Sequence, residues 1–108
     1  MIVEVSITKD SDQMLCSLYK EFLKRRKDGF PKADARHFAD GTIPKIPPLD
    51  SWPDADISDA MLELSRANLL RITIGGDCDL KDEAIFFMEN RFKNGLKDVL
   101  SFLAQFIP

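Results

Sequence analysis

The segment 56–92 constrains the fold most strongly, because it holds the signals for a helix, a tight hairpin and a second helix in immediate succession. Apolar residues recur at three-to-five spacing over 57–69, which indicates one buried helix face. These residues are Ile57, Met61, Leu64 and Leu69. The short, β-branched run 70–74 predicts a strand, the glycine pair 75–76 supplies the positive φ of a tight turn, and 78–80 predicts the return strand.

The sequence LLRITIGGDCDLKDEAIFFMENRF, residues 69–92, resembles that of small, uncharacterised winged helix-turn-helix proteins of bacteria and their phages, in which the second wing strand leads directly into a helix. The resemblance covers roughly the last two thirds of the chain. It implies an α+β, mostly helical fold, a winged helix-turn-helix with a short β-hairpin wing. It also implies a non-enzymatic, DNA-associated or transcription-regulating role. The alternative is a protein-protein interaction or assembly module that uses the fold without nucleic acid, since fold alone does not decide function.

Length and composition place the chain among ordinary globular proteins. Its 108 residues suffice for one hydrophobic core and are too few for two, and its 44% hydrophobic residues argue against disorder. The start of the chain lacks the features of a signal peptide, and no apolar run is long enough to span a membrane. Cys16 and Cys78 lie far apart without further ligands nearby. We therefore expect both to be reduced and the protein to be cytoplasmic, with no membrane partner.

A long helix is predicted near the N-terminus, after a short strand or arm formed by the β-branched residues of 2–7. Thr8, Asp10 or Ser11 would cap this helix, and Gly29 would end it after four basic residues. Its buried face repeats at three-to-four spacing. The residues of that face are Met14, Leu15, Leu18, Tyr19, Phe22 and Leu23.

Between this helix and the hairpin, the sequence predicts a short second helix over 32–39, a proline-rich loop and a third helix. The prolines exclude regular structure from the loop, and its apolar side chains are expected to hold it against the domain. Those side chains are Ile43, Ile46, Leu49 and Trp52. The third helix is expected to start at Asp56 or Ser58 and to end near Asn68, whose tolerance of the left-handed conformation suits a C-terminal cap.

The C-terminal segment predicts one long helix over 82–106, because apolar residues follow a heptad pattern beyond Phe92. Gly95 interrupts the pattern at a point where such a helix can kink. We assign residues 1–92 to a winged-helix-like domain and 93–108 to a helical extension that forms a homodimer. The dimerisation residues are Phe92, Leu96, Val99, Leu100, Leu103 and Phe106. The alternative is that this stripe folds back on the first helix of the same chain.

Charge is unevenly distributed along the chain, whose net charge is −3. Residues 1–50 carry nine Lys and Arg against eight Asp and Glu, whereas residues 51–108 carry six against ten. The acidic excess falls in the half that holds the helix before the hairpin. Contacts between basic side chains and phosphates supply much of the affinity of a DNA-binding module, so this distribution weighs against DNA reading by that helix.

For double-stranded DNA, the candidate contacts are the basic side chains of the first three helices and of the hairpin. They are Lys24, Arg25, Arg26, Lys27, Lys32, Arg36, Arg66 and Arg71. The consecutive basic residues 24–27 also suit the C-terminal end of a helix, where cations oppose the helix dipole, so both roles stay open. Convergence of these residues on one face would favour DNA binding, and scatter would favour the interaction module.

The sequence lacks the motifs of common catalytic and metal sites. It has no glycine-rich phosphate loop, no Gly-x-Ser-x-Gly elbow and no pair of Cys or His at ligand spacing. Asp77 and Asp79 flank Cys78 but lack the other ligands of a calcium loop. His37 is the single histidine and has no residue with which to bind a metal. We therefore expect no enzymatic activity, no metal and no cofactor.

Overall fold

The computed structural model describes residues 6–106, in which the chain is α+β and mostly helical, as the sequence predicts. The helices are α1 (Lys9–Lys27), α2 (Lys32–Ala35), α3 (Asp54–Arg66), α4 (Asp82–Arg91) and α5 (Leu96–Leu103). The strands are β1 (His37–Phe38), β2 (Leu70–Ile72) and β3 (Cys78–Leu80). The predicted N-terminal strand falls mainly on residues 2–5, which lie outside the described residues, and residues 6–8 have no regular structure.

Helix α1 forms the centre of the molecule and packs against α2, α3, α4 and α5. Its apolar face is buried as the periodicity predicts, with Met14 and Leu18 fully buried. Thr8 is the N-cap, and its hydroxyl accepts a hydrogen bond from the Ser11 amide. Gly29 follows the helix at a φ of 95°, a conformation that costs least for a residue without Cβ. The predicted first helix is therefore confirmed at both ends.

The three strands form one antiparallel sheet in the order β1-β3-β2. The β2–β3 hairpin is the one that the sequence predicts, and Gly76 in its turn has a φ of 91°. Strand β1 is a correction, because the sequence predicts a helix over 32–39 whereas α2 stops at Ala35. His37 and Phe38 pair with β3 instead, and the Phe38 side chain is fully buried. Strand pairing and burial outweigh a helical pattern that is too short to be stable alone.

The proline-rich loop is ordered against the domain, as predicted. It contains two short 3₁₀ turns, Ile43–Lys45 and Leu49–Ser51, whose isoleucine and leucine are buried. The ammonium group of Lys20, in α1, donates to the carbonyl oxygen of Pro47 at 2.9 Å. Helix α3 begins slightly earlier than expected, and Asn68 follows it at a φ of 65°. The predicted left-handed cap at this end is confirmed.

The prediction of a single long C-terminal helix is wrong, because the helix is interrupted between α4 and α5. Phe92 leaves the helical region at φ −115° and ψ 76°, and Gly95 precedes α5 at φ 64°. Such a positive φ is readily accessible to a residue without Cβ. The glycine that interrupts the heptad pattern therefore separates two helices, and α5 packs on α1 of the same chain.

Half of the predicted dimerisation stripe lies in the core of its own chain. The buried members are Phe92, Val99 and Leu103. Arg91 closes this side of the core, because its guanidinium donates to both carboxylate oxygens of Asp12 at 2.6 and 3.0 Å. The same guanidinium lies 4.8 Å from the ring centroid of Phe92 and 4.6 Å from that of Phe102. Segment 93–106 thus shares one core with α1, which is the alternative that the sequence left open.

Candidate functional site

Arg25, one of the basic residues predicted to contact DNA, has a structural role. Its guanidinium donates to the carbonyl oxygens of His37 at 2.6 Å and Ala35 at 3.3 Å. It also lies 4.5 Å from the ring centroid of Phe38. These contacts fix the end of α2 and strand β1 to α1. Arg25 is thereby committed to the fold.

Two further candidates, Lys32 and Arg36, are held by one carboxylate. Arg36 donates to Asp82 Oδ1 at 2.6 Å and to the carbonyl oxygen of Leu80 at 2.8 Å, and the Lys32 ammonium lies 3.4 Å from the same Asp82 oxygen. Hydrogen bonds from Arg36 and then from Lys32 hold the pKa of Asp82 below its usual value. The two basic side chains and this acid join α2 to the start of α4.

Arg71 is likewise balanced by acids. It lies on β2, 3.5 Å from Asp79 Oδ2 on the neighbouring strand. Arg71 and Arg36 do line one shallow depression, but three carboxylates share it. Those carboxylates belong to Asp79, Asp82 and Glu83. A phosphate at this point would meet as much negative charge as positive charge.

The remaining candidates lie far apart. Arg26 donates to the carbonyl oxygen of Phe30 at 3.1 Å. In the described part of the chain, no acidic partner is found for Lys24, Lys27 or Arg66. The two lysines lie at the C-terminal end of α1, whereas the last turns of α3 lie beside its N-terminal end, about 27 Å away along a helix of 19 residues. Of the predicted nucleic-acid residues, Arg36 and Arg71 thus line one depression, whereas Arg66 is separated from Lys24 and Lys27.

The predicted dimerisation residues that are not buried also differ among themselves. Leu96 is partly buried, and Leu100 is exposed by 44% on the outer side of α5. The Phe106 side chain lies outside what the structure describes. The homodimer was predicted because the apolar stripe had no obvious partner within its own chain. This reason no longer applies to Phe92, Val99 and Leu103, which are buried in the core of that chain. Dimerisation itself stays a prediction.

A second surface, which sequence reasoning missed, is an apolar groove between α3, residues 39–44 and the hairpin. We call it the α3–hairpin cleft; its volume is about 330 Å³. Its apolar lining consists of Ala39, Ile43, Pro44, Ile57, Met61 and Ile72. Asp40 and Asp54 line it as well. The cleft is open to solvent and has the size of a small docking groove.

Helix α3 turns one exposed ridge and two different flanks outward, since successive residues of a helix are rotated by about 100°. Ser58 and Leu62 form the ridge, and the Leu62 side chain is exposed by 47%. On one flank, Met61 lines the α3–hairpin cleft. On the other flank, Asp59 and Glu63 line a second, smaller depression. An apolar flank and an acidic flank thus border the same exposed ridge.

The acidic flank combines carboxylates of α3 and of the first turn of α1. We define it by Asp10, Asp56, Asp59 and Glu63. Glu63 Oε1 accepts a hydrogen bond from the Thr8 amide at 2.5 Å, and this bond holds the pKa of Glu63 below its usual value. Within residues 6–106, the three aspartates have no basic side chain at ion-pair distance. Their negative charge is therefore left for solvent or for a partner.

The hairpin wall of the cleft is fixed by polar contacts with the segment that follows α2. The Asp40 amide donates to Asp77 Oδ1 at 2.9 Å. His37 bridges the hairpin, with Nε2 3.4 Å from Asp77 Oδ2 and Nδ1 2.9 Å from Asp79 Oδ1. A Cβ at Gly76 would lie 2.7 Å from Cγ of Asp40, so glycine permits this close approach. The groove is consequently preformed in the free protein.

Ile74 lies in the turn of this hairpin and is fully exposed. It was a sequence signal for the surface, because a large apolar residue beside the glycines of a tight turn has no core to enter. The cleft itself has no comparable signal. Its walls come from three segments whose relative placement is set by tertiary packing.

Side chains with catalytic potential are engaged or buried. Burial raises the pKa of the Cys16 thiol to about 12 and that of the Cys78 thiol to about 11, so neither forms a ready nucleophile. His37 is held by two aspartates of the hairpin. Among the described residues, no group of three or more His, Cys, Asp or Glu could hold a metal ion.

Length and apolar character decide whether a helix can cross a membrane. Among residues 6–106, no helix combines the length and the apolar character needed to cross a bilayer. The resemblance to winged helix-turn-helix proteins is carried by the pattern of residues 69–92 and extends over roughly the last two thirds of the chain. No protein-family model, no curated protein and no solved structure matches this chain.

Proposed function

We propose that this chain is a non-enzymatic protein-interaction or assembly module built on a winged-helix-like arrangement. The arrangement is supported by the order of elements: α3 directly precedes the β2–β3 hairpin, and β1, which lies before α3 in the chain, closes the sheet beside β3. In this reading, α3 occupies the position of a recognition helix and the hairpin is the wing. Two 3₁₀ turns stand where a helix-turn-helix has its preceding helix.

The observation that carries the proposal is the chemistry of α3. A recognition helix for DNA presents Arg, Lys, Asn or Gln to base edges, between phosphates on either side. Here the exposed ridge of α3 bears Ser58 and Leu62, with the exposed Arg66 one turn beyond Leu62 and the acidic flank beside the ridge. Carboxylates in this position repel phosphates, whereas an apolar groove next to unpaired charge suits a protein surface.

DNA association with transcription regulation is the second candidate. The winged-helix-like order of elements favours it, together with Lys24, Lys27 and Arg66, which have no acidic partner among the described residues. A homodimer would have to bring these separated residues to two half-sites of a duplex. The distance between the lysines and Arg66 makes this candidate the weaker one.

Titration with a mixed-sequence duplex at low and at moderate salt separates the two candidates, with the oligomeric state measured by light scattering. We expect no saturable duplex binding, because the α3 helix has an acidic flank and Lys24 and Lys27 are separated from Arg66. Saturable binding with a steep salt slope would overturn the proposal. If binding is seen, Lys24→Glu with Lys27→Glu is expected to abolish it. The matched control is Lys93→Glu with Lys97→Glu, which makes the same charge change at two exposed lysines outside the candidate set and leaves binding unchanged.

A further inference from the structure

We propose that the α3–hairpin cleft and the acidic flank together bind a basic amphipathic segment of another protein, a helix or strand that presents one large apolar side chain between Lys or Arg residues. This inference rests on the proposed function and specifies the partner of that surface. The docking surface consists of the exposed ridge of α3, with the cleft on one side and the acidic flank on the other.

The apolar part of the surface supplies the anchor position. Met61 and Ile72 line the cleft without being fully buried, Leu62 is half exposed beside them, and Ile74 is fully exposed on the hairpin. A partner side chain that enters the cleft would remove Met61 and Ile72 from water, and neighbouring residues of the partner would cover Leu62 and Ile74 outside the cleft. Burial of one large apolar side chain in such a groove is the kind of contact that forms an interface hot spot.

The charges around the surface specify a basic partner. Asp40 and Asp54 line the cleft, and the acidic flank adds four carboxylates on the opposite side of the ridge. Arg66, at the end of α3, is the basic residue of that helix. Lys or Arg residues on both sides of an apolar anchor would match this arrangement, speed the encounter and exclude acidic competitors.

Because the cleft is preformed, a docking partner loses little free energy in ordering it. The hairpin is tied to residue 40 through Asp77 and by the close approach of Gly76, so its wall does not have to be ordered by the partner. A duplex does not fit the negative charge, and an anionic lipid surface is excluded by the same repulsion. A protein segment is the partner class that satisfies both the apolar and the electrostatic features.

The test is selection from a library of random displayed peptides on the full chain, followed by titration of the selected synthetic peptides and mapping by amide chemical shifts. We expect selected sequences with at least one large apolar residue flanked by Lys or Arg. Leu62→Ser is expected to weaken binding about tenfold, as for loss of a hot-spot contact, and Ile74→Thr to weaken it less. Phe86→Ser, which removes a comparably exposed apolar residue on α4, is the matched control and leaves binding unchanged.

The electrostatic part is tested separately by Asp54→Asn with Asp59→Asn, expected to weaken binding about fivefold at low salt and less at high salt. The control pair Asp34→Asn with Glu89→Gln removes equal charge away from the surface. Thermal melting of each variant verifies that it is folded. Peptides without basic residues, no selected peptide, or equal effects of test and control pairs would overturn the inference.

The outcomes also separate this inference from the function on which it rests. Peptide binding that maps to Phe86 and Leu100 would leave an interaction module standing and would overturn the proposed docking surface. Self-association through α3 would do the same. Saturable binding of a duplex with no selected peptide would overturn both.

Discussion

The two sides of α1 use the same kinds of residue with opposite results. On the α5 side, apolar residues such as Val99 are fully buried, and Arg91 is paired with Asp12. On the α3 and hairpin side, Leu62 is half exposed, Ile74 is fully exposed, and the aspartates of the acidic flank have no basic partner among residues 6–106. The first side closes the core and stabilises the fold. The second leaves apolar area exposed and, within the described residues, negative charge without a partner, and that mismatch is what points to another protein.

Truncation of the chain after Arg91 is the most severe test of whether the α5 side belongs to the core. It removes Phe92, Val99 and Leu103 from the core. At about 1.5 to 3 kcal/mol for each buried side chain, the loss is about 4.5 to 9 kcal/mol, which approaches the whole stability of a small domain. We expect the truncated chain to lose cooperative thermal unfolding, measured by circular dichroism.

Leu100→Ser serves as the control for this truncation, because Leu100 lies on α5 with an exposed side chain. It is expected to change the free energy of unfolding by less than about 0.5 kcal/mol. A truncated chain that still unfolds cooperatively at an unchanged midpoint would show that α5 is an appendage, as the sequence suggested, and would return the apolar stripe to a role between chains.

Arg91→Met tests the closure of the α5 side at a single residue. The change removes two hydrogen bonds to Asp12 and leaves that carboxylate, which is only partly exposed, without a cation. Because both groups retain some contact with water, the expected loss is about 2 kcal/mol in the free energy of unfolding by urea. Arg66→Met removes a cation on the other side and is expected to change stability by less than about 0.5 kcal/mol. Equal losses would mean that the two sides do not differ in this respect.

Local patterns predicted α1, α3 and the hairpin well. Met14 and Leu18 recur at helical spacing, and Gly29 ends the helix with its positive φ. The glycine pair of the hairpin has the same local character, because a tight turn needs positive φ wherever it occurs. These features depend on neighbouring residues, so the sequence carries them without knowledge of the rest of the molecule.

Long-range contacts set the parts that the sequence did not predict. The heptad pattern beyond Phe92 fits packing on another chain and packing on α1 equally well, and the break between Phe92 and Gly95 selects the second. Strand β1 exists because β3 is available beside it. Arg25 looks like a surface cation in sequence, yet its partners are carbonyl oxygens of residues 35 and 37. The site is for the same reason the least predictable region.

Gly76→Ala tests whether the hairpin is fixed against residue 40, and Gly75→Ala is a matched control in the same turn. Alanine at 76 would have to adopt a φ of 91° and place its Cβ against Asp40, whereas a Cβ at 75 meets no atom within 4 Å. We expect Gly76→Ala to cost about 1 to 2 kcal/mol and Gly75→Ala to be nearly neutral in thermal melting. Equal midpoints would indicate that the hairpin is not fixed against residue 40 and that the cleft is not preformed.

The smallest expected effect is a difference in the labelling rates of the two thiols, one in α1 and one in the hairpin. Cys16 lies in α1 and Cys78 on β3, both buried, and their raised pKa values of about 12 and about 11 keep both mainly protonated at neutral pH. Modification therefore requires an opening that exposes and ionises the thiol. Strand β3 belongs to a sheet of strands of two or three residues, which we expect to open locally, whereas α1 packs against four helices and is expected to be released only with the core. With a thiol reagent and mass spectrometry, we expect Cys78 to be labelled before Cys16, and both at once in denaturant. Labelling of the two at one rate in the native protein would mean that the open and closed sides of α1 unfold as a single unit.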